Sequence, residues 1–537
     1  LTVNGFTRGK NAIIQRWVHA KSNRRWQRLT AAVTQAAARN NDSAPLVLFN
    51  ASTRLQAMSQ NAAYSFLLNQ ALRLQGVPVI QFTCRAGMRR CVLGSDRDNV
   101  AQEPPCARCT AQSQAVFEGI PTRWFDYQPD PEVEKQLGGL PVQDLCGFVY
   151  KDAPLGFWAV NSLRWVLRRH HLSDDAATRQ FMIHFILSGW NVLKNFEKLA
   201  EEVHPRTVIV FNGMFFPEAA VRYACLKRKI RVLTHEVGLR PFTAFFTDGE
   251  ATAYPIHIGD EFQLTDEMNR RLDDYLSQRF QGNFSMAGVR FWPQIKGLDA
   301  AFLEKAAQFK QIVPVFTNVI FDTSQVHANT LFEDMFVWLD NILEVIKSHP
   351  DTLFVLRAHP DEHREGKASR ESVRDWVLAG GVDKLNNVVF VDSKEFISSY
   401  ELIQRSHFVM VYNSTIGLEA ALMGKAVLAG GKARFTQLKT AHLPTSKGEY
   451  DRLLEKLLSS KTVSVPEEFK VNARRFLYYQ LYVTSLPFDT FLKEDGVWKG
   501  YVTAKDFPVS ALLPENSVTM KVLLDGILKK TPFELPL

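Results

Sequence analysis

No run of about 18 apolar residues occurs in this 537-residue chain, which argues against a membrane-spanning helix. Two phosphate and acyl-transfer signatures are missing as well. There is no G-x-x-x-x-G-K-[ST] loop and no G-x-S-x-G elbow, which removes P-loop hydrolases and α/β-hydrolases. The chain opens on Leu1, and no basic-then-apolar secretory leader is visible. No tandem repeat and no long low-complexity linker interrupts it. Acid is absent from residues 1–40, where Arg8, Lys10, Arg16, Lys21, Arg24, Arg25, Arg28 and Arg39 stand alone. Those eight bases equal the net charge of +8, so the rest of the chain balances to zero. With 46% apolar and 22% charged residues, that neutral body is globular and long enough for several domains.

The basic arm has Ile13, Ile14, Trp17 and Trp26 among its charges, a pattern suited to a helix. Two readings stay open. The arm could dock on an anionic surface, lipid head groups first, at about 1 kcal/mol per base. Alternatively it is a solvated helix packed on the first domain. No recognisable nucleic-acid module follows, so nucleic acid is not an expected partner. The expected location is cytoplasmic, at the inner membrane face if the arm binds lipid.

Four of the six cysteines, Cys84, Cys91, Cys106 and Cys109, fall within 26 residues as C-x6-C-x14-C-x2-C. The Cys106–Cys109 pair has the spacing of half a zinc site. A structural zinc, disulfides and free thiols all remain open; a four-thiolate zinc site would be closed and structural, not catalytic. Asp96-Arg97-Asp98 spells D-x-D but lies inside this loop, away from any strong strand.

Strand and helix patterns alternate twice. The first series runs through residues 45–50, 57–74, 77–82, 180–203, 207–211, 218–229 and 230–234. The second runs through 312–316, 331–348, 353–358, 388–391, 398–404, 408–412, 416–423 and 426–429. Such alternation predicts an α/β protein with parallel sheets covered on both faces. The expected organisation is a basic helical arm (1–40), an N-terminal Rossmann-like acceptor domain with its Cys-rich loop (41–261 and 84–109), and a connection (262–310). A C-terminal Rossmann-like donor domain (311–465) and an aromatic-rich helical tail (466–537) follow.

Ligands of open parallel sheets bind beyond the carboxyl ends of the strands. After residues 353–358 comes Arg357-Ala-His359-Pro360, where proline stops the ladder and leaves an imidazole at the tip. After 408–412 comes Asn413-Ser414-Thr415-Ile416-Gly417-Leu418-Glu419, polar caps at a helix start. There Glu419 is placed to accept from ribose hydroxyls. After 312–316, Asn318 and Asp322 are placed to position hydroxyls, or are turn caps. The set Arg357-x-His359-Pro360, Tyr412-Asn413-Ser414-Thr415-x-Gly417-x-Glu419-Ala420 and Gly424-Lys425-Ala426-Val427 resembles the capsule polysaccharide biosynthesis type of bacterial glycosyltransferase, Kdo transferases among them. The resemblance covers roughly residues 310–485. It implies a GT-B fold, with two Rossmann-like domains facing a cleft. It also implies a CMP- or UDP-type nucleotide-sugar donor held at His359 and Ser414–Thr415, with Glu419 near the nucleotide.

The resemblance further implies transfer to a glycan, lipid-linked or protein acceptor in surface polysaccharide or glycoconjugate assembly, with no cofactor required for the chemistry. Rival readings are a nucleotide-sugar 2-epimerase or CDP-polyol phosphotransferase of the same fold, and a non-catalytic scaffold. The group that takes the acceptor's proton belongs in the first domain. Glu236 is the first candidate, His235 the second and Asp248 the third, and each is equally open to a structural role.

Overall fold

The computed structural model describes residues 5–38, 43–280, 285–286, 289–290, 296–364, 366, 368–395, 397–497 and 500–537. Twelve strands build its two main sheets. The first sheet uses β1 (Leu46–Phe49), β2 (Val79–Cys84), β3 (Thr122–Phe125), β4 (Thr207–Phe211), β5 (Arg231–Val237) and β6 (Thr243–Thr247). The second uses β7 (Gln311–Phe316), β8 (Thr352–Arg357), β9 (Val388–Val391), β10 (Val409–Val411) and β11 (Val427–Ala429). A late strand, β12 (Leu486–Pro487), returns to the first sheet. Spatial orders are β12-β6-β5-β4-β1-β2-β3 and β9-β8-β7-β10-β11. In each, the first strand of the unit lies beside its fourth, and the chain winds outward on either side. That reversal opens a crevice above the carboxyl ends of β1/β4 and of β7/β10. Two Rossmann-like domains facing a cleft are the GT-B arrangement.

The strands read as continuous apolar runs because both faces are covered. All six residues of β8 (TLFVLR) are buried. In the first domain, helices Leu155–Leu167 and Ala176–Val203 cover one face, and helices Gln60–Leu74 and Val518–Lys529 the other. A five-residue loop reverses the chain after β5, so β6 runs antiparallel to it. The alternation of strands and helices gave no hint of this hairpin.

Three segments are more embedded than their sequence suggests. Helix Gly5–Ala36 buries Trp26, Leu29 and Val33, spaced i, i+3, i+7, in the first domain's core. Its Ser22 hydroxyl meets Thr503 Oγ1 at 2.9 Å. Arg16, Trp17 and Lys21 stay exposed, whereas the side chains of Arg8, Lys10, Ile13 and Ile14, and all of Arg39, lie outside the described residues. The segment read as a connection contributes Leu272, Leu276 and Phe302 to the second domain's core. Beyond residue 466, helix Glu467–Tyr482 packs on the second domain. The chain then forms β12 and two further strands, Leu492–Glu494 and Tyr501–Ala504, rather than helix throughout. The reason lies in Phe488, Phe491, Leu492 and Val502, which fill the space beneath helix Gln60–Leu74; the Phe488 ring lies tilted against Tyr64, centroids 4.6 Å apart. Among the described residues no helix is long and apolar enough to cross a membrane.

A clasp joins the domains. The Glu371 carboxylate accepts the backbone N–H groups of His170 (2.8 Å) and His171 (3.1 Å) and pairs with the His171 ring. Asp334 lies 3.8 Å from His170 Nε2 and 3.4 Å from His171 Nε2.

Candidate functional site

A cavity of about 620 Å³ opens above β7, β8 and β10. Its floor starts at β8, whose last residue is Arg357. Arg357 is buried, and burial pulls its pKa down to about 10, with Glu395 the opposing charge. Pro360 then turns the chain into a 3-10 helix. There His359 Nδ1 accepts the N–H of Asp361 at 3.2 Å, which leaves the ring's donor at Nε2. Burial lowers the His359 pKa, against the pull of Asp361, so the imidazole is neutral and donates one proton.

At the switch point, Asn318 after β7 donates to Asn413 after β10 at 2.6 Å. The same Asn318 accepts the N–H of Val319 at 2.8 Å. This pair ties the two strand tips together and forms part of the cavity wall. Asp322 turns its loop by accepting the N–H of Ser324 at 2.8 Å. Thr415 caps the following helix, Ile416–Leu422, but makes no side-chain capping bond. Ser414 and Thr415 both line the cavity. Gly417 does not: a Cβ there would come within 2.7 Å of Phe435 and 3.1 Å of Val411, so this glycine seats the helix on β10. Glu419 is buried and already held. Arg279 donates to its Oε1 at 2.8 and 2.5 Å, and the Tyr400 hydroxyl donates to its Oε2 at 2.7 Å.

Eight of the nine expected donor-side residues thus meet on one cavity: Arg357, His359, Asn413, Ser414, Thr415, Glu419, Asn318 and Asp322. Others there escaped the sequence reading. Lys432 and Arg434 follow β11, and the strand-tip rule applied one strand further would have found them. Arg279 and Tyr400 carry no local signal, because their partner lies 140 and 19 residues away.

Across the cleft a second cavity, about 400 Å³, shares Thr252, Asp322, Asp361 and Arg434 with the first. Glu236, near the end of β5, faces it. Its Oε1 accepts from Asn61 Nδ2 (3.2 Å) and from the N–H of Val237 (3.0 Å), and its Oε2 from Asn212 Nδ2 (2.9 Å). Burial raises the Glu236 pKa in spite of these donors. Asn212, after β4, holds a left-handed backbone (φ 57°), and Gly213 follows at φ 86°. His235, one residue before Glu236 on the strand, is 1% exposed and stacks 5.0 Å from Phe246. Burial drives its pKa down to about 3, which leaves it a neutral ring at the wall of the second cavity. Asp248 is a correction. Because β6 runs back, Asp248 lies beside Arg231 at the amino end of β5, away from the cleft end of the strands, in a pair of 2.6 and 3.0 Å, and lines neither cavity.

Cys84, Cys91, Cys106 and Cys109 line a third cavity, next to the second. His170, His171 and Asp334 are the one trio of ligand-type atoms within 4.8 Å of one another among the described residues. Asp334 is committed there to capping helix Met335–Ser348 through the N–H groups of Phe336 and Val337.

Residues 288–439 match the model of the capsule polysaccharide biosynthesis protein family. That span holds every donor-side residue named above except Arg279. No curated protein sequence matches the chain. Similar solved structures include the Thermosulfurimonas dismutans KpsC beta Kdo 2,4 transferase, at 12% identity, covering 52% of this chain and 80% of that one, with a TM-score of 0.33. The KpsC beta Kdo 2,7 transferase of the same organism has 12% identity, coverage of 63% and 90%, and a TM-score of 0.31. The UDP-GlcNAc 2-epimerase of Neisseria meningitidis bound to UDP-GlcNAc has 13% identity, coverage of 81% and 98%, and a TM-score of 0.26. Likeness at this level carries no argument about activity, which rests on the site itself.

Proposed function

We propose that this protein is a glycosyltransferase of capsule-type surface polysaccharide assembly, with its nucleotide-sugar donor in the second domain's cavity and its acceptor against the first. One observation carries the reading. Arg357, His359, Ser414, Thr415, Lys432 and Arg434 converge on a single cavity at a topological switch point, and a carboxylate of raised pKa stands across the crevice.

Such a cavity suits a phosphate. Arg357 and Lys432 supply charge, the Nε2–H of His359 a neutral donor, and the two hydroxyls short adaptable ones. In the transfer, the acceptor oxygen bonds to the anomeric carbon as the bond from that carbon to the phosphate oxygen breaks. Glu236 takes the acceptor's proton, and its three hydrogen bonds hold it in one orientation. Negative charge growing on the departing phosphate is met by Arg357, His359 and Arg434. Arg434 is held over the Tyr254 ring at 3.6 Å, at the junction of the two cavities.

A thermal-shift screen with CMP, CDP, UDP and GDP tests the donor assignment. A nucleotide at about 100 times its Kd adds ~2.7 kcal/mol to stability, an easily read shift. One of the four is expected to stabilise the wild type and not Ser414→Ala. Indifference to all four nucleotides contradicts the reading. Product analysis without acceptor then separates transfer from epimerisation, since an epimerase converts its nucleotide sugar alone.

A further inference from the structure

Four cysteines approach one void from three segments: Cys84 ends β2, Cys91 sits in the loop beyond, and Cys106 and Cys109 open helix Cys106–Val116. The void measures about 290 Å³. The space is partly open to solvent, and a single metal ion would fill only a small part of it. Its wall is largely apolar, with Met88, Leu93, Pro104 and Pro105 among the lining, and Arg54 and Arg108 add positive charge.

As placed, the sulfurs do not form the tight cluster that four ligands of one zinc make. Four bonds of about 2.3 Å draw tetrahedral ligands to within about 4 Å of one another. Here no three of the sulfurs lie within 4.8 Å of each other. A cubane cluster places each thiolate on its own iron, so its ligands are spread around a larger core. The local turns also fit bound sulfur. Gly87 donates its N–H to Cys84 Sγ at 3.1 Å, and Gly94 donates to Cys91 Sγ at 3.2 Å, in two successive C-x-x-G turns. Ser52 Oγ lies 3.0 Å from Cys109 Sγ. Hydrogen bonds to cluster sulfurs are one of the means by which proteins set a cluster's potential. Glycine is required in both turns: a Cβ at Gly87 would meet the Phe125 ring at 2.2 Å, and one at Gly94 would meet Pro104 at 2.8 Å and Cys91 Sγ at 3.1 Å.

A buried arginine braces the loop that carries these ligands. Arg90 is 1% exposed and donates to the carbonyls of Gln102 (2.5 Å) and Val100 (2.7 Å), which fixes the segment between Cys91 and Cys106.

We propose that Cys84, Cys91, Cys106 and Cys109 hold a four-iron, four-sulfide cluster rather than one zinc ion. Cys91 and Leu93 line both this void and the acceptor-side cavity, so the cluster would form the back of that wall. The inference does not depend on the sugar-transfer reading, and its test reads metal rather than activity.

The full-length protein, produced with ample iron and purified without oxygen, is analysed for iron, zinc and acid-labile sulfide, then reconstituted with ferrous iron and sulfide. The expected result is about four irons and four sulfides per chain, with a broad visible absorption that bleaches on reduction by dithionite. Cys91→Ser and Cys106→Ser are expected to lose it, and Cys146→Ser and Cys225→Ser, outside the void, to keep it. One zinc per chain without sulfide overturns the proposal. So does failure of the wild type to take up iron and sulfide on reconstitution, or full retention by Cys91→Ser and Cys106→Ser. The wild-type stoichiometry decides even if a cysteine variant fails to fold.

Discussion

Glu236 is held by donors on both oxygens, yet its pKa lies above the ordinary glutamate range because burial outweighs them. Two expectations follow for this one carboxyl. Glu236→Gln keeps the shape and is expected to cut kcat by roughly 10²–10⁴-fold while nucleotide affinity is unchanged, measured by single-turnover transfer and by titration. In the wild type, kcat is expected to fall as pH drops through the raised pKa, because the base must be ionised. The sign for stability is the reverse. The folded carboxyl binds its proton more tightly than the unfolded one, so its contribution is complete below the unfolded pKa and is lost as pH rises through the folded value. At this scale the sequence was readable where a rule of chain geometry applied. Pro360 ends a strand, so His359 is at its tip; Asn413-Ser414-Thr415 precede a helix, so they border the crevice. It was unreadable where a partner is remote. Nothing near Arg279 announces Glu419, and nothing near Glu236 announces Asn61.

Between helices Asp266–Phe280 and Ile416–Leu422 runs the Arg279–Glu419 pair, with side chains 14% and 7% exposed. Removing one partner of a buried pair leaves the other charge uncompensated, at a cost of about 3–5 kcal/mol. Glu419→Ala is expected to lose stability of that order in urea unfolding. A loss under 1 kcal/mol would mean the pair is wet. Gly417→Ala tests the other role of the same helix: forcing a methyl toward Phe435 and Val411 is expected to cost about 1–3 kcal/mol. Apolar runs and periodicity made most strands of the two sheets and the long helix Ala176–Val203 legible, but not β3, β6 or helix Leu155–Leu167. The apolar run of β6 goes unrecognised in the strand–helix alternation, and nothing in it announces an antiparallel sense. The short loop after β5 decides its sense, and with it the misplacement of Asp248. Strands in the C-terminal segment were hidden for a related reason: two to four residues are too few to show a period.

For the molecule as a whole, the domain clasp links stability to pH. Burial and nearby Arg164 push the His170 pKa down, so the folded protein holds this ring neutral. A histidine lowered on folding stabilises above its unfolded pKa near 6.5, and that contribution is lost as pH falls toward the folded value. The melting temperature is expected to decline between pH 7 and 5, and His170→Gln to flatten part of that slope. An unchanged slope in His170→Gln would remove this ring from the account. Two domains in series were legible because the strand–helix rhythm restarts after residue 300. Their clasp was not, since His170 and Glu371 are separated by 201 residues.

The most direct test of the site is equilibrium titration of the stabilising nucleotide into three proteins: wild type, Arg357→Ala and Asn61→Ala. The phosphate is expected at Arg357, so Arg357→Ala weakens binding at least tenfold, about 1.4 kcal/mol, while Asn61→Ala, across the crevice, binds as wild type does. Equal affinity in wild type and Arg357→Ala would contradict the assignment of the donor to the second domain.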